Sequence, residues 1–505
     1  MIQGCGSDVG KSVLVAGLCR LFTNRGIVVR PFKSQNMSNN AAVTPGGGEI
    51  GRAQALQAQA CRTLPTVDMN PVLLKPQSDV GAQLIVRGKM AGTMDASAHG
   101  RDKRALLDVA IESYRRLAEE AQLMIVEGAG SPAETNLRKN DIANMGLARA
   151  LDLPVVLVGD INRGHVIASL VGAHVVLDAG DRAMIRGFIV NKFRGNPQLF
   201  EDGVRHITEY TGWQSIGVVP WLRAASRLPS EDGMQLEALH AARSAHSRVR
   251  IAVPQLSRIA NFDDFDPLRE EPNVELVFVP PGRPIPTDAA MIVIPGTKST
   301  IADMEFMRAQ GWDIDVLAHV RHGGRVLGIC GGYQMLGRTI SDPDGIEGPP
   351  RTVQGLGLLD VETVMTGDKT LREVAGVLVG VELRGDVAGA LGACGDGGAA
   401  DAMLASFAGY EMHVGVTTGG AVGRPFLRFS DGLTDGAVSA DGRIAGCYVH
   451  GLFGATAARA ALVASIGAAP SQIDHATRVD AALDEIAAVL EGCLNINALA
   501  AIAGL

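Results

Sequence analysis

The sequence predicts an α/β protein: a doubly wound, mostly parallel sheet built around a phosphate loop, followed by a second α/β domain. Three observations carry this expectation. The 505 residues exceed what one hydrophobic core organises, and at 47% hydrophobic and 20% charged they describe a well-buried chain. Short β-branched runs alternate with helical stretches, the pattern of a sheet covered on both faces. A glycine-rich loop, "GCGSDVGKS" (4–12), opens directly into the first helix.

In chain order, the first series reads as strands "GIVVRPF" (26–32), "LMIVEGAG" (123–130), "LPVVLVGD" (153–160) and "MIRGFIVNKF" (184–193). Helices are expected over 12–24, 49–62, 103–121 and 163–180. The pattern changes near 221–248, where "WLRAASRLPSEDG" and a polar helix, "MQLEALHAARSAHSR", read as a connector. A second series follows with "VRIAVPQL" (249–256), "VELVFVP" (274–280), "AAMIVIPGT" (289–297) and "GGRVLGICGG" (323–332). The Gly/Ala-rich stretch 385–402 reads as a surface insertion, and 455–505 as terminal helices. The expected division is 1–225 for the nucleotide domain, 226–248 for the connector, 249–455 for the second domain and 456–505 for the helical segment.

Composition narrows the function. Aromatic residues make up 4% and the net charge is -8, which disfavours stacking platforms and phosphate-backbone binding, so no nucleic-acid partner is expected. Seven cysteines at 5, 19, 61, 330, 394, 447 and 493 form no CxxC pair, so a reducing cytoplasm is the expected location. No apolar run approaches 18 residues and no leader precedes the loop, so neither membrane association nor export is expected.

The amino-terminal loop has five residues between Gly4 and Gly10, one more than the usual phosphate loop. The chemistry still works. Backbone N–H groups of Gly10 and its neighbours surround phosphate, Lys11 neutralises charge, and the Ser12 hydroxyl reaches Mg²⁺. Glu127 follows an apolar strand, where a carboxylate holds Mg²⁺ directly or through water. Lys33 ends the strand before it and is placed to meet the transferring phosphoryl group. Asp8, in the loop, and Asp141, in "KNDIANMG", are further candidates, each equally suited to capping a helix.

A second site centres on "GICGGYQMLG" (328–337), where Cys330 follows a strand and precedes a helix. This is the nucleophile-elbow arrangement with sulfur in place of serine oxygen, and the helix start favours the thiolate. Its base is a histidine: His450 in "GCYVHGLFG", with His413 in "GYEMHVG" as competitor. Backbone amides around "PGTKS" (295–299) are candidates for an oxyanion hole.

Together these stretches resemble the cobyric acid synthases, a family of glutamine-dependent amidotransferases. The resemblance rests on "QGCGSDVGKSVLVAGLCR", "PFKSQNMSNNAAVTPGGGEIGRAQALQAQA", "MNPVLLKP", "VEGAGSPAE", "DIANMGLA", "NKFRG", "PGTKST", "GICGGYQMLG", "GYEMHVG" and "YVHGLF", which span about residues 2–455. It implies a dethiobiotin-synthetase-like ATPase domain, whose phosphate loop has the same five-residue spacing, and a class I glutamine amidotransferase domain. ATP and Mg²⁺ would activate corrin carboxylates, with Cys330 attacking glutamine and His450 as base. Ammonia would pass through the interior to the acyl phosphate. The implied partners are small molecules: a corrinoid, glutamine and ATP, with the oligomeric state left open.

Three departures from the family pattern stand out. Class I glutaminases place a Glu two residues after the His, where this chain has Leu452. A Cys–His dyad is therefore expected, with Glu411 or Tyr448 as its possible neighbours. Cys5 and Gly6 replace the family's two Thr. Only three residues precede Gly4, and the natural start is expected upstream of Met1. The alternatives are a cobyrinic acid a,c-diamide synthase, disfavoured by "SQNMSNN" and "EIGRAQALQ", and a non-enzymatic partition-type ATPase, disfavoured by Cys5 where an early Lys is required.

Overall fold

The computed structural model describes residues 1–76, 81–95, 103–229, 248–379 and 405–505. The polar helix of the connector and the Gly/Ala-rich stretch with Cys394 lie outside them, wholly or nearly so. The chain divides into two compact units, Met1–Pro229 with Thr477–Leu505, and Ser230–Ala476.

In the first unit, Ile2–Gly4, Val155–Asp160, Ile185–Phe193 and Gln214–Pro220 form a parallel four-stranded sheet in that order. Val29–Phe32 and Leu123–Val126 pair in parallel beside it, and a parallel bridge from Glu127 to Ile2 joins the two. Ile2–Gly4 is therefore central although only three residues long. It is held on one side by Val156–Val158 and on the other by the Gly128 N–H to Ile2 carbonyl bond of 2.8 Å. All six residues of Val155–Asp160 are buried, as a strand covered on both faces requires. The expected helix 163–180 is in fact two, Val166–Val176 and Ala179–Met184, divided at Leu177–Asp178, where Asp178 caps the second.

Two features were not anticipated. Residues 35–95 hold a small mixed sheet of Gln35–Met37, Val72–Pro76, Gly81–Val86 and Lys89–Asp95, with a hairpin of Ala41–Val43 and Glu49–Gly51. Most of these strands are short, and polar residues or glycine interrupt their apolar runs, so the sequence marks them weakly. The expected terminal segment 456–505 is also not one piece. Thr456–Ser465 packs in the second unit, whereas 477–505 returns to the first. The reason is an apolar stripe, Val479, Leu483, Ile486 and Leu490, buried with Leu14, Leu18 and Leu21 of the helix Lys11–Asn24. The buried Arg20 pairs there with Asp480 and, at 3.3 Å, with Asp484.

In the second unit, Val274–Val279, Val249–Pro254, Met291–Ile294, Arg325–Ile329 and Ile444–Cys447 run parallel in that order, with Ala437–Val438 antiparallel at the edge. A second sheet pairs the long strands Glu362–Leu378 and Ser406–Thr418, and Val449–His450 lies against the latter. Cys330 ends a strand of the first sheet and His450 sits on the second.

Candidate active site

The phosphate loop leaves the carboxyl end of Ile2–Gly4, where ligands gather in open α/β sheets. Left-handed turns at Asp8 (φ 57) and Gly10 (φ 92) curl it into the kind of concave turn that binds anions, directly before the helix starting at Lys11. The Lys11 ammonium donates to the carbonyls of Gly6 (2.9 Å) and Gly130 (3.1 Å). Glu127 is 1% exposed and satisfied on both oxygens. One accepts from Ser12 Oγ and Lys33 Nζ, both at 2.8 Å, and the other from Gln57 Nε2 at 2.5 Å. A buried carboxylate needs such partners, and Lys33 supplies the opposing charge.

Carboxylate and hydroxyl are hard oxygen donors. Glu127 and Ser12 would hold Mg²⁺, a cation that takes oxygen ligands from carboxylate and hydroxyl groups. Among the described residues no group of three or more His, Cys, Asp or Glu is arranged to hold a metal. The oxygen donors present fit magnesium.

Asp8 and Asp141 stand apart from this cluster. The Asp8 carboxylate pairs with Arg163 at 3.2 Å, while Lys192 reaches both the Asp8 carbonyl and, at 2.9 Å, Asp160 Oδ2. Asp141 accepts from the N–H groups of Ala143 (2.8 Å), Asn144 (2.8 Å) and Gly146 (2.9 Å), which is a capping role. The turn it caps matters for the site, because the Asn144 amide holds both backbone groups of Ala129, two residues beyond Glu127.

In the second unit Cys330 adopts φ 53, ψ -112, a strained conformation for a residue with a side chain. Gly332 permits the turn, since a Cβ there would stand 2.1 Å from the Ile294 carbonyl oxygen. The Cys330 thiol donates to the Met412 carbonyl (3.4 Å), and Cys330 is among the groups that act on the His450 imidazole. The other side of the imidazole is held by a residue the sequence reading missed. His450 Nδ1 lies 2.7 Å from Asp264 Oδ2, and Asp264 Oδ1 accepts from the Gly451 N–H, also at 2.7 Å. Burial by itself would lower the His450 pKa. The Asp264 charge and hydrogen bond, with the Cys330 contact, overcome that and raise it to about 10.

The loop 295–299 lies against this ring, for a Cβ on Gly296 would meet His450 Cε1 at 2.9 Å. It is tied down by the Ala260 N–H to Gly296 carbonyl bond (2.9 Å), the Ile259–Thr297 bridge and the buried Asp303. The Asp303 carboxylate accepts from the Ser257 (3.0 Å) and Arg258 (3.1 Å) N–H groups and from the Thr297 hydroxyl.

The expected neighbours of the dyad do not hold the imidazole. Glu411 pairs with Arg372, and the Tyr448 hydroxyl bonds Thr417 and, at 3.3 Å, Gln334. His413 stacks on Tyr448 with ring centroids 3.6 Å apart, and burial lowers its pKa to about 4.

Residues 1–235 match the CobQ/CobB/MinD/ParA nucleotide binding domain, and residues 250–458 the CobB/CobQ-like glutamine amidotransferase domain. A cobyric acid synthase of Caulobacter sp. (strain K31) is 63% identical over 504 residues, covering 100% of this chain and 99% of that protein. The chain belongs to the cobyric acid synthase family. Cobyric acid synthases of Rhizorhabdus wittichii (58% over 503 residues, 100% and 98% covered) and Methylorubrum populi (57% over 499 residues, 99% and 98% covered) are similarly related.

As a cobyric acid synthase family member the chain joins a nucleotide-binding domain to a glutamine amidotransferase domain. Among the described residues no helix is long and apolar enough to cross a membrane. The structure brings Lys33, Ser12 and Glu127 together beside Lys11 and Gly10, and separately places Cys330 among the groups that act on His450. Gln57 and Asp264 were missed. Gln54 and Gln57, three residues apart in "EIGRAQALQAQA", mark one polar helix face. Asp264 in "NFDDFD" carried no signal of its own, being one of three aspartates in a short polar turn.

Proposed function

We propose that this chain makes cobyric acid by amidating the b, d, e and g side-chain carboxylates of adenosylcobyrinic acid a,c-diamide, using ATP and glutamine. The observation that carries this reading is the strained turn at Cys330 together with the His450 imidazole held by Asp264, in a chain whose other unit opens on a phosphate loop.

A carboxylate is a poor electrophile, and phosphorylation turns one of its oxygens into a leaving group. Gly10 and the helix start at Lys11 bind the phosphates, and the Lys11 and Lys33 ammonium groups offset charge as the γ-phosphoryl group transfers. Ser12 and Glu127 would hold Mg²⁺, which when bound neutralises phosphate oxygens. Asp8 steadies the loop through Arg163.

In the second unit the Cys330 thiolate attacks the glutamine amide carbon. His450 gives its Nε2 proton to the amide nitrogen, the C–N bond breaks, and ammonia leaves a thioester at Cys330. Backbone N–H groups of loop 295–299 receive the oxyanion. Water, deprotonated by His450, then releases glutamate. Ammonia attacks the acyl phosphate, expelling phosphate and leaving a carboxamide. Generating ammonia within the protein keeps it unprotonated and excludes competing water.

The test is an assay with cobyrinic acid a,c-diamide, ATP, Mg²⁺ and either glutamine or ammonium, read by product mass. The expected result is stepwise amidation with both nitrogen sources. Cys330→Ala should lose glutamine-dependent turnover by at least about 10³-fold and keep ammonium-dependent turnover. Amidation of cobyrinic acid itself with no action on its a,c-diamide would overturn the substrate assignment. Glutamine-dependent turnover surviving in Cys330→Ala would overturn the nucleophile.

A further inference from the structure

A thiol–imidazole pair works as a nucleophile and proton shuttle only if the imidazole is held in one orientation and one tautomer. In class I glutaminases a carboxylate two residues after the histidine does this, and here that position is Leu452, a buried apolar side chain. The molecule supplies a carboxylate from elsewhere. Asp264 lies 186 residues before His450 in sequence, in the turn Phe262–Phe265 that follows the first strand of the unit. Both side chains are almost fully buried, at 4% and 1% exposure.

We infer that Asp264 is the positioning residue of the glutaminase site, the third member of a Cys330–His450–Asp264 triad assembled from a different point of the chain than the usual carboxylate. This inference rests on the reading of Cys330 and His450 proposed above.

Three pieces of geometry support it. Asp264 Oδ2 takes the Nδ1 side of the ring at 2.7 Å, which puts the proton on Nδ1 or charges the ring and leaves Nε2 as the nitrogen for proton exchange. Asp264 Oδ1 takes the N–H of Gly451, the residue after His450, so one carboxylate fixes both the imidazole and its backbone. The turn leading to Asp264 also holds the candidate oxyanion loop: Ala260 donates to the Gly296 carbonyl, Ile259 bridges Thr297, and the Arg258 carbonyl accepts from Thr297 Oγ1 at 3.1 Å. One short segment, 258–264, therefore sets the base and the oxyanion loop against each other. A carboxylate serving only to cap the Gly451 turn would not need its second oxygen on the imidazole.

Substitution by asparagine separates the roles. Asp264→Asn keeps the shape and can keep the bond from Gly451, but its amide can donate to Nδ1 and stabilise the wrong tautomer. The full chain is assayed for glutamate release, for amidation with ammonium, and for the rate of Cys330 alkylation by iodoacetamide across pH. The titratable groups around the imidazole are Cys330, Asp264, His413 and Tyr410, and the last two are the same in every arm.

The expected result for Asp264→Asn is a fall in kcat for glutamine hydrolysis of at least about 10²-fold with KM for glutamine little changed, and an alkylation profile displaced along the pH axis. Ammonium-dependent amidation should stay within about twofold of the wild-type rate, which also certifies that the variant is folded. Asp264→Glu should recover part of the lost kcat, a rescue that a purely structural cap would not show. Wild-type kcat and an unmoved alkylation profile in Asp264→Asn would overturn the inference. Cys330→Ala, run alongside, distinguishes the two possible failures. If it abolishes glutamine hydrolysis while Asp264→Asn does not, the triad assignment alone falls. If it does not, the site reading beneath it falls as well.

Discussion

Glu127 and Asp264 are both buried carboxylates with hydrogen bonds to both oxygens, and the contrast between them separates the two halves of the chemistry. Around Glu127 the partners are a lysine, a serine hydroxyl and a glutamine amide, all of them hydrogen-bond donors to the carboxylate. That cluster can rearrange charge, which is what phosphoryl transfer asks of it. Asp264 instead faces an imidazole, the one side chain suited to carrying a proton at neutral pH. One carboxylate stands in an electrostatic device and the other at the end of a proton path. Damage to the first should stop amidation from either nitrogen source, and damage to the second should stop only the use of glutamine.

The sharpest break of this contrast is Lys11→Ala. Amidation with glutamine and with ammonium should fall together by at least about 10³-fold, while glutamine hydrolysis stays within roughly threefold. Product mass and glutamate release report the two. An equal fall in glutaminase activity would show that the two chemistries are not separable. Next comes Glu127→Gln, which takes the carboxylate charge away from the Lys33 ammonium, 7% exposed and 2.8 Å from it. Unfolding in denaturant should show a loss of about 3–5 kcal/mol, the usual cost of stranding a buried ion.

A third variant, Gly296→Ala, presses a methyl against the His450 ring, 2.9 Å from Cε1. Glutamine turnover should drop by about 10²-fold through misplacement of the base, with ammonium-dependent turnover unchanged. The smallest effect concerns His413. Its folded pKa of about 4 lies below the unfolded 6.5, so between these values the unfolded chain binds a proton that the folded one refuses. Stability therefore falls as pH drops from 6.5 towards 4, by about 2–3 kcal/mol. His413→Phe should remove that slope in a thermal unfolding series, and an unaltered slope would show that the ring is not held neutral.

How much of this was legible beforehand depended on sequence distance. The phosphate loop reads from adjacent residues, because consecutive backbone amides and the next helix make the site. Lys33 and Glu127 were found because they end apolar strands, and position in a parallel sheet predicts where a strand end points. Cys330 was found by its glycines. Asp264 was not, since only the folding of Val249–Pro254 beside Met291–Ile294 and Arg325–Ile329 brings its turn to His450. Gln57 was hidden for a related reason: an amide on a helix carries no chemical signature until its partner is known. The strands of 35–95 were harder to read because they are short and mix buried apolar residues with buried polar ones. Asn36, Glu49 and Lys75 bury side chains that composition assigns to the surface, and Lys75 with Glu49 forms an ion pair of 2.6 Å.

The return of residues 477–505 to the first unit bears on how the protein is made. Helix Lys11–Asn24, which begins at the phosphate loop, completes its core with Ile486 and Leu490 and its buried arginine with Asp480 and Asp484. The ribosome delivers those partners only after all of the second unit has emerged. Domains that fold in order of synthesis can close one after another, but here the first must stay incomplete until the last helices arrive. Arg20 and the apolar face around it are therefore exposed for the whole time the second unit is being translated. The same wiring makes the carboxyl-terminal helices a structural part of the nucleotide-binding unit, although they lie at the far end of the chain.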